Sequence, residues 1–227
     1  NTDIFVDLVD PGLAAIFANT IPEISQVNDI ISIHCVATDV AQLSLTINGE
    51  VVATAEANEL KYDYTVPAEG DYTFTFTATK GEETKIVSEQ TCVVSAPVQQ
   101  VRPKSVDMGI YYHSPAAGES LGSVTLSTYA ASKTEAAKHV FVVGDFNNWA
   151  ISNKYQMKQD GNYFWLEIDG LETKKEYAFQ YVVVRADGIT KKISDLYSEK
   201  VLHPDDQYEP KTVNPDLMDY PKGGEGY

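Results

Sequence analysis

Few residues in this chain have the types and spacing that chemistry needs. The most informative stretch is Val140-Phe141-Val142-Val143-Gly144-Asp145-Phe146-Asn147-Asn148-Trp149. A β-strand pattern ends at Gly144, a turn rich in Asp and Asn follows, and Trp149 is left at the loop end beside the polar Ser152-Asn153-Lys154. An indole there presents an apolar face with polar edges. Pyranose rings carry CH groups on one face, so a flat aromatic surface is a natural sugar platform, and a neighbouring amide such as Asn148 can bond hydroxyls. The competing reading folds Trp149 back to cap its own domain. Gly118-Glu119-Ser120-Leu121-Gly122 fits the G-x-S-x-G nucleophile elbow, which works only where a strand feeds a sharp turn into a helix. Here a loop runs into a strand pattern, so no serine nucleophile is expected. Asp205-Asp206, Asp216 with Asp219, and Glu82-Glu83 pair carboxylates, but in polar turns that do not raise a pKa for general acid work. Only Asp205-Asp206 has the oxygen-rich character of a calcium turn. His34, His113, His139 and His203 lack metal-ligand spacing. No catalytic residue, metal or cofactor is expected.

The chain that must position Trp149 has 227 residues, a length for one large domain or two of about 100 residues. It is 43% hydrophobic, with 8 Phe, 14 Tyr and 2 Trp, so packed cores are affordable and bulk disorder is excluded. Lys and Arg number 17 against 33 Asp and Glu, a net charge of −16 that repels phosphate backbones and anionic lipid. Nucleic acid is therefore not an expected partner, whereas neutral ligands are unaffected. No apolar run approaches the roughly 18–20 residues of a membrane span. Asn1-Thr2-Asp3-Ile4-Phe5 does not read as a signal peptide, so a leader is expected to be absent or removed.

Strand periodicity dominates, and the fold class expected is all-β, two consecutive antiparallel β-sandwiches. Ile31, Ile33, Cys35 and Ala37 alternate with polar or smaller residues, as do Leu43, Leu45 and Ile47, then Tyr62, Tyr64 and Val66, then Tyr72, Phe74, Phe76 and Ala78. Asn48-Gly49, Pro67, Glu69-Gly70-Asp71 and Lys80-Gly81-Glu82 separate them as turns. Residues 1–97 thus read as an immunoglobulin-like domain, with Tyr72 placed for a tyrosine corner and 3–9 and 13–17 available as an edge strand. Cys35 and Cys92 face one core. A disulfide there would close a loop of about 58 residues, worth roughly 4 kcal/mol in the chain-entropy model; the alternative is two buried thiols. Residues 98–105, with Pro103 and two glutamines, read as an extended linker. Residues 106–208 carry strands expected at 108–113, 123–130, 139–143, 163–168, 176–184 and 190–194, with a helical turn at 134–138. The Pro/Gly-rich 209–227 reads as a connector toward a further domain.

Gly144-Asp145-Phe146-Asn147-Asn148-Trp149 resembles the signature of family-48 carbohydrate-binding modules, the sandwich that precedes the barrel in many family-13 glycoside hydrolases. Tyr163 to Ile168, Glu176 to Tyr181 and the Asp195 to Asp205 segment, similar to the family's "D-P-Y" junction, agree with it. Together with the immunoglobulin-like domain, the order resembles the N-terminal half of secreted bacterial α-amylases. The resemblance implies that Trp149 is a platform for α-1,4-glucan (starch, glycogen or maltooligosaccharides), with Asn148 a weaker contact and Trp165 and Gln180 weaker still. Phe164, Leu166 and Ile168 match the family's inward positions, which turns Trp165 to the other face of its strand, where the alternative to a sugar contact is cover for that sheet surface or packing on a barrel. It implies a catalytic barrel as second partner and a secreted, periplasmic or cell-surface location. The sequence departs from the family where Asp187-Gly188 is followed by Ile189 and Thr190 rather than a second tryptophan, and where Ala178 and Gln180 replace a basic residue. Two other readings compete with a non-catalytic segment of an α-glucan hydrolase: a stand-alone starch-binding surface protein, and a purely structural pair of spacers.

Overall fold

The computed structural model describes residues 12–81, 84–130, 136–213 and 215–221. It divides into two compact units, residues 1–95 and 96–227. Residues 3–9, Glu82-Glu83 and Thr134-Glu135 of the expected helical turn at 134–138 lie outside the described residues. Of the described part of that turn, Ala137 opens a strand.

In the first unit Ala15–Phe17 (β1), Ile24–Ser25 (β2), Ile30–Ile47 (β3), Glu50–Thr65 (β4), Gly70–Lys80 (β5) and Thr84–Val94 (β6) run in the order β1-β3-β5-β6-β2, with β4 on β3. Ile31, Ile33, Cys35, Leu43, Leu45 and Ile47 face the core as their alternation predicts, but they share one strand rather than two. The register against β4 shifts between Val36 and Ala41. Before the shift β3 also pairs β1, and after it β5. One strand thereby turns the corner of the sandwich, as bent strands do where two sheets meet. Asp39, exposed and ion-paired with Lys80, marks the break in an otherwise apolar series of odd-numbered positions. Asn48 and Gly49, with φ 51° and 83°, make the two-residue hairpin into β4 that their types predict. The Tyr72 hydroxyl donates to the Ala68 carbonyl at 2.8 Å, the expected tyrosine corner.

Cys35 and Cys92 are both buried in this core, but as free thiols, so the expected disulfide is corrected. Strand alternation fixes which way a side chain points, not the Cβ separation that a bridge requires. The Cys92 thiol points instead at the Val93 carbonyl, 3.9 Å away. Burial pushes each thiol up to about 12, which leaves both protonated and unreactive.

The second unit has a sheet ordered β10-β11-β8-β7, from Lys158–Asp160 (β10), Tyr163–Glu172 (β11), Leu121–Tyr129 (β8) and Gly109–His113 (β7). A three-stranded sheet, β13-β12-β9, comes from Thr190–Ile193 (β13), Phe179–Arg185 (β12) and Ala137–Gly144 (β9). All six expected strands are present, and β10 is added. Phe164, Leu166 and Ile168 of β11 pack on Val140, Val142 and Tyr181 between the sheets. Tyr181 is wholly buried and donates its hydroxyl to Asp195 at 2.5 Å, while Asp195 also accepts the Tyr197 amide at 2.6 Å. Burial first, and the Asp195 carboxylate second, hold the Tyr181 phenol well above its ordinary range. That pair fixes the chain as it leaves β13.

The expected linker 98–105 is extended but not free. The Gln100 amide donates to the Gln159 carbonyl at 2.9 Å, and the Gln159 amide to Val98 at 2.8 Å. Arg102 lies 3.8 Å over the Tyr163 ring and reaches Asp160 at 3.1 Å. The expected connector 209–227 also folds back in part, with Lys211 bonded to the Leu217 carbonyl and paired with Asp219 at 3.0 Å. Among the described residues no helix is long and apolar enough to cross a membrane.

Candidate functional site

The loop after β9 is built by its own polar side chains. Gly144 is required there by space: a Cβ would stand 2.5 Å from the Ala178 carbonyl and 2.9 Å from the Phe179 Cβ. Asn147 ties the turn from inside, accepting the Gly144 amide at 2.8 Å and donating to the Val142 carbonyl at 2.9 Å. Phe146 anchors it in the core, with ring centroids 5.4 Å from Tyr155 and 6.5 Å from Tyr177. Asp145 spends both carboxylate oxygens. One accepts the Ala178 amide at 2.8 Å, and the other accepts the indole N–H of Trp149 at 3.0 Å.

Asn148 and Trp149 follow with φ 53° and 60°. Two successive left-handed residues, the second bulky, cost on the order of 1 kcal/mol or more each, so the surroundings must hold them. The Trp149 amide donates to the Gly144 carbonyl at 3.0 Å, which with the Asp145 latch closes the turn. The indole is half-buried at the side of a groove of about 970 Å³. Asn148 is exposed, and its side chain makes no hydrogen bond among the described residues.

The weaker candidates fare differently. Trp165 does point away from the core, as the parity of β11 predicts, but it is only 4% exposed. Its indole N–H donates to the Gln100 carbonyl at 2.9 Å, and the Lys158 ammonium sits 4.5 Å over its ring. With no open face it cannot be a sugar platform, and the reading of Trp165 as a contact is corrected. Gln180 lies in β12 opposite Val143, 5% exposed, so it supplies part of the groove floor rather than a solvent-facing amide.

The groove also takes in residues the sequence did not single out. Tyr112 of β7 and Tyr177 line it, as do Leu217 and Tyr220 from the tail. No local pattern marks the tail residues, because they reach the site only through folding back. Along its rim Lys175 pairs with Glu172 at 2.8 Å and Lys200 with Glu176 at 2.5 Å. Each hydrogen-bonded carboxylate raises its lysine's pKa. These cations are neutralised in place, a setting suited to an uncharged ligand.

Ser120 sits in an exposed loop that runs directly into β8, the context expected to disqualify it as a nucleophile. Asp206 accepts the His203 amide at 2.7 Å, and the His203 ring accepts the Asp205 amide at 3.2 Å, so this pair caps the turn Pro204–Tyr208. Among the described residues no group of three or more His, Cys, Asp or Glu side chains is placed to hold a metal ion.

Residues 109–198 match the family model described as carbohydrate-binding module 48 (isoamylase N-terminal domain). No curated protein matches the chain. Among solved structures, the chain is similar to fibronectin(III)-like modules of Clostridium thermocellum CbhA, at 12% identity and TM-score 0.36, over 84% of this chain and 100% of that one. The CARDB domain of a Pyrococcus furiosus protein matches at 17% identity and TM-score 0.30, over 36% of this chain and 93% of that one. A Bacteroides ovatus protein of a mixed-linkage glucan utilization locus, in complex with a mixed-linkage heptasaccharide, matches at 17% identity and TM-score 0.27, over 85% of this chain and 44% of that one.

Proposed function

We propose that the second unit binds α-1,4-linked glucan, with the Trp149 indole as platform and the Asn148 amide as a hydroxyl contact. The observation that carries this reading is the way Trp149 is held. Its ring is half-buried beside a groove, latched by Asp145, at the cost of two successive left-handed residues. Backbone strain of that kind collects at ligand sites, where a side chain must be pre-oriented. A tryptophan serving only to cap the sandwich gains nothing from being turned toward the groove. The carbohydrate-binding-module match over 109–198 supports the ligand class, and the paired rim charges suit a neutral one.

We further propose that the chain is the non-catalytic N-terminal part of a secreted α-glucan hydrolase of family 13, exported to the periplasm or cell surface. The retaining, two-carboxylate reaction would take place on a (β/α)₈ barrel outside these 227 residues. The module's work is then to hold substrate near that barrel, to dock on it, or both.

Affinity electrophoresis in gels containing glycogen or amylopectin tests the binding reading. Retardation of the wild type that disappears in Trp149→Ala is the expected result. Equal mobility of both proteins, with and without glucan, would leave a docking scaffold instead.

A further inference from the structure

The groove beside Trp149 is much larger than one sugar ring. A cavity of about 150 Å³ already accepts a six-membered ring, and sites for whole small ligands span about 300–1,000 Å³. At about 970 Å³ this groove has room for several pyranose units. A single platform at one side would leave the rest of a bound chain without an apolar surface to lie on.

Tyr112 has the properties of that missing surface. It lies on β7, two residues beyond Ile110, which packs against the core of the second unit. Strand alternation puts Tyr112 on the same face as Ile110, but past the edge of the packed interior, where its ring lines the groove. It is 75% exposed. Tyr112 has neither a ring contact nor a hydrogen bond among the described residues, unlike Tyr111, Tyr163 and Tyr177, whose rings or hydroxyls are engaged. A wide, rigid, amphipathic side chain left bare in a concave site is a typical anchor for a ligand with apolar faces and hydroxyl edges.

We infer that Tyr112 is a second stacking platform in the groove, so that the module takes an extended α-glucan chain spanning from Trp149 to β7 rather than a single terminal sugar. This rests on the glucan reading above and deepens it. It also answers a gap in the sequence, where Ile189 and Thr190 follow Asp187-Gly188 in place of a second tryptophan. Tyr112 approaches the chain from the other sheet.

Isothermal titration of the full chain with maltotriose and maltoheptaose separates the possibilities, since an extended site of two platforms requires the longer ligand to engage both rings. Tyr112→Ala is expected to weaken maltoheptaose binding about tenfold while leaving maltotriose within about twofold of wild type. Tyr112→Phe, which keeps the ring, should match wild type for both. Because Tyr112 is exposed on an edge strand, neither change disturbs the core, and thermal melting coincident with wild type verifies that. Unchanged maltoheptaose affinity in Tyr112→Ala, with Trp149→Ala still abolishing binding, would overturn the second platform and leave the glucan reading standing. An equal loss for both ligand lengths would overturn it too, placing Tyr112 in one compact site. Absence of any glucan binding by the wild type would instead remove the glucan reading, and the platform with it.

Discussion

Asp145 illustrates how one side chain can serve both fold and site. Its carboxylate bonds the Ala178 amide across to the chain entering β12 and fixes the Trp149 indole through the ring N–H. Asp145→Ala leaves two donors without this acceptor; both bonds lie at the exposed surface, where water can replace the carboxylate, so each loss costs about 0.5–1.5 kcal/mol. The expected outcome is a lower melting temperature together with weakened retardation in glycogen gels, although Trp149 itself is intact. Asp145→Asn, which keeps an acceptor oxygen, should recover part of both. Binding by Asp145→Ala equal to wild type would show that the indole is oriented by something else. Trp149 and its turn were legible in the sequence because the signal is local: a strand end, then Asp and Asn, then an aromatic. The need for Gly144 was not, because the atom that excludes a Cβ belongs to Ala178, distant in sequence and adjacent only in the folded sandwich.

At the scale of elements, β11 separates what alternation reveals from what it hides. Phe164, Leu166 and Ile168 match the inward positions of the family that the sequence resembles, and they are in the core. The same parity placed Trp165 on the opposite face but could not say what covers it. The cover is the segment 98–102, whose polar composition reads as a free linker until its hydrogen bonds to β10 are seen. Arg102 is the clasp, planar over Tyr163 and bonded to Asp160, whose pKa it lowers through those hydrogen bonds. Arg102→Ala should therefore loosen the segment and wet the indole beneath it. In a Trp149→Phe background, where Trp165 is the sole tryptophan, its emission is expected to shift red and its quenching by acrylamide to rise. Arg102→Lys should not restore the wild-type values, since an ammonium lacks the planar fork that stacks and bonds together. Unchanged emission in Arg102→Ala would mean that the backbone bonds alone hold the strip in place.

At the scale of the whole molecule, the excess of acidic groups suggests that acid should affect stability first through carboxylates, but the structure places an imidazole ahead of them. His139 is 3% exposed in β9, its ring stacked near Phe141 and its Nδ1 3.2 Å from the Gln156 side-chain oxygen. Burial lowers its pKa from 6.5, with the neighbouring Lys138 charge acting the same way and the Gln156 hydrogen bond opposing. The folded state thus binds its proton more weakly than the unfolded chain does. Stability from keeping His139 neutral is fully present above pH 6.5 and is lost as pH falls from there through the lower folded value. Asp39, Glu59 and Asp160 also have lowered pKa values, but from hydrogen-bonded partners at the surface, and their contribution fades only below the ordinary carboxylate values of 3.8 and 4.5. Asp39 and Glu59 sit in exposed pairs and Asp160 in a partly buried one with Arg102, so together they should add a shallow slope, further offset as protonation relieves the net charge of −16. Thermal melts at closely spaced pH should therefore show a first decline beginning near pH 6.5, ahead of a weaker acid limb. Whatever melting temperature His139→Gln starts from, it should lose the first decline, because nothing titrates at that position. A first decline of equal slope in His139→Gln would assign it to another group and remove His139 as its cause.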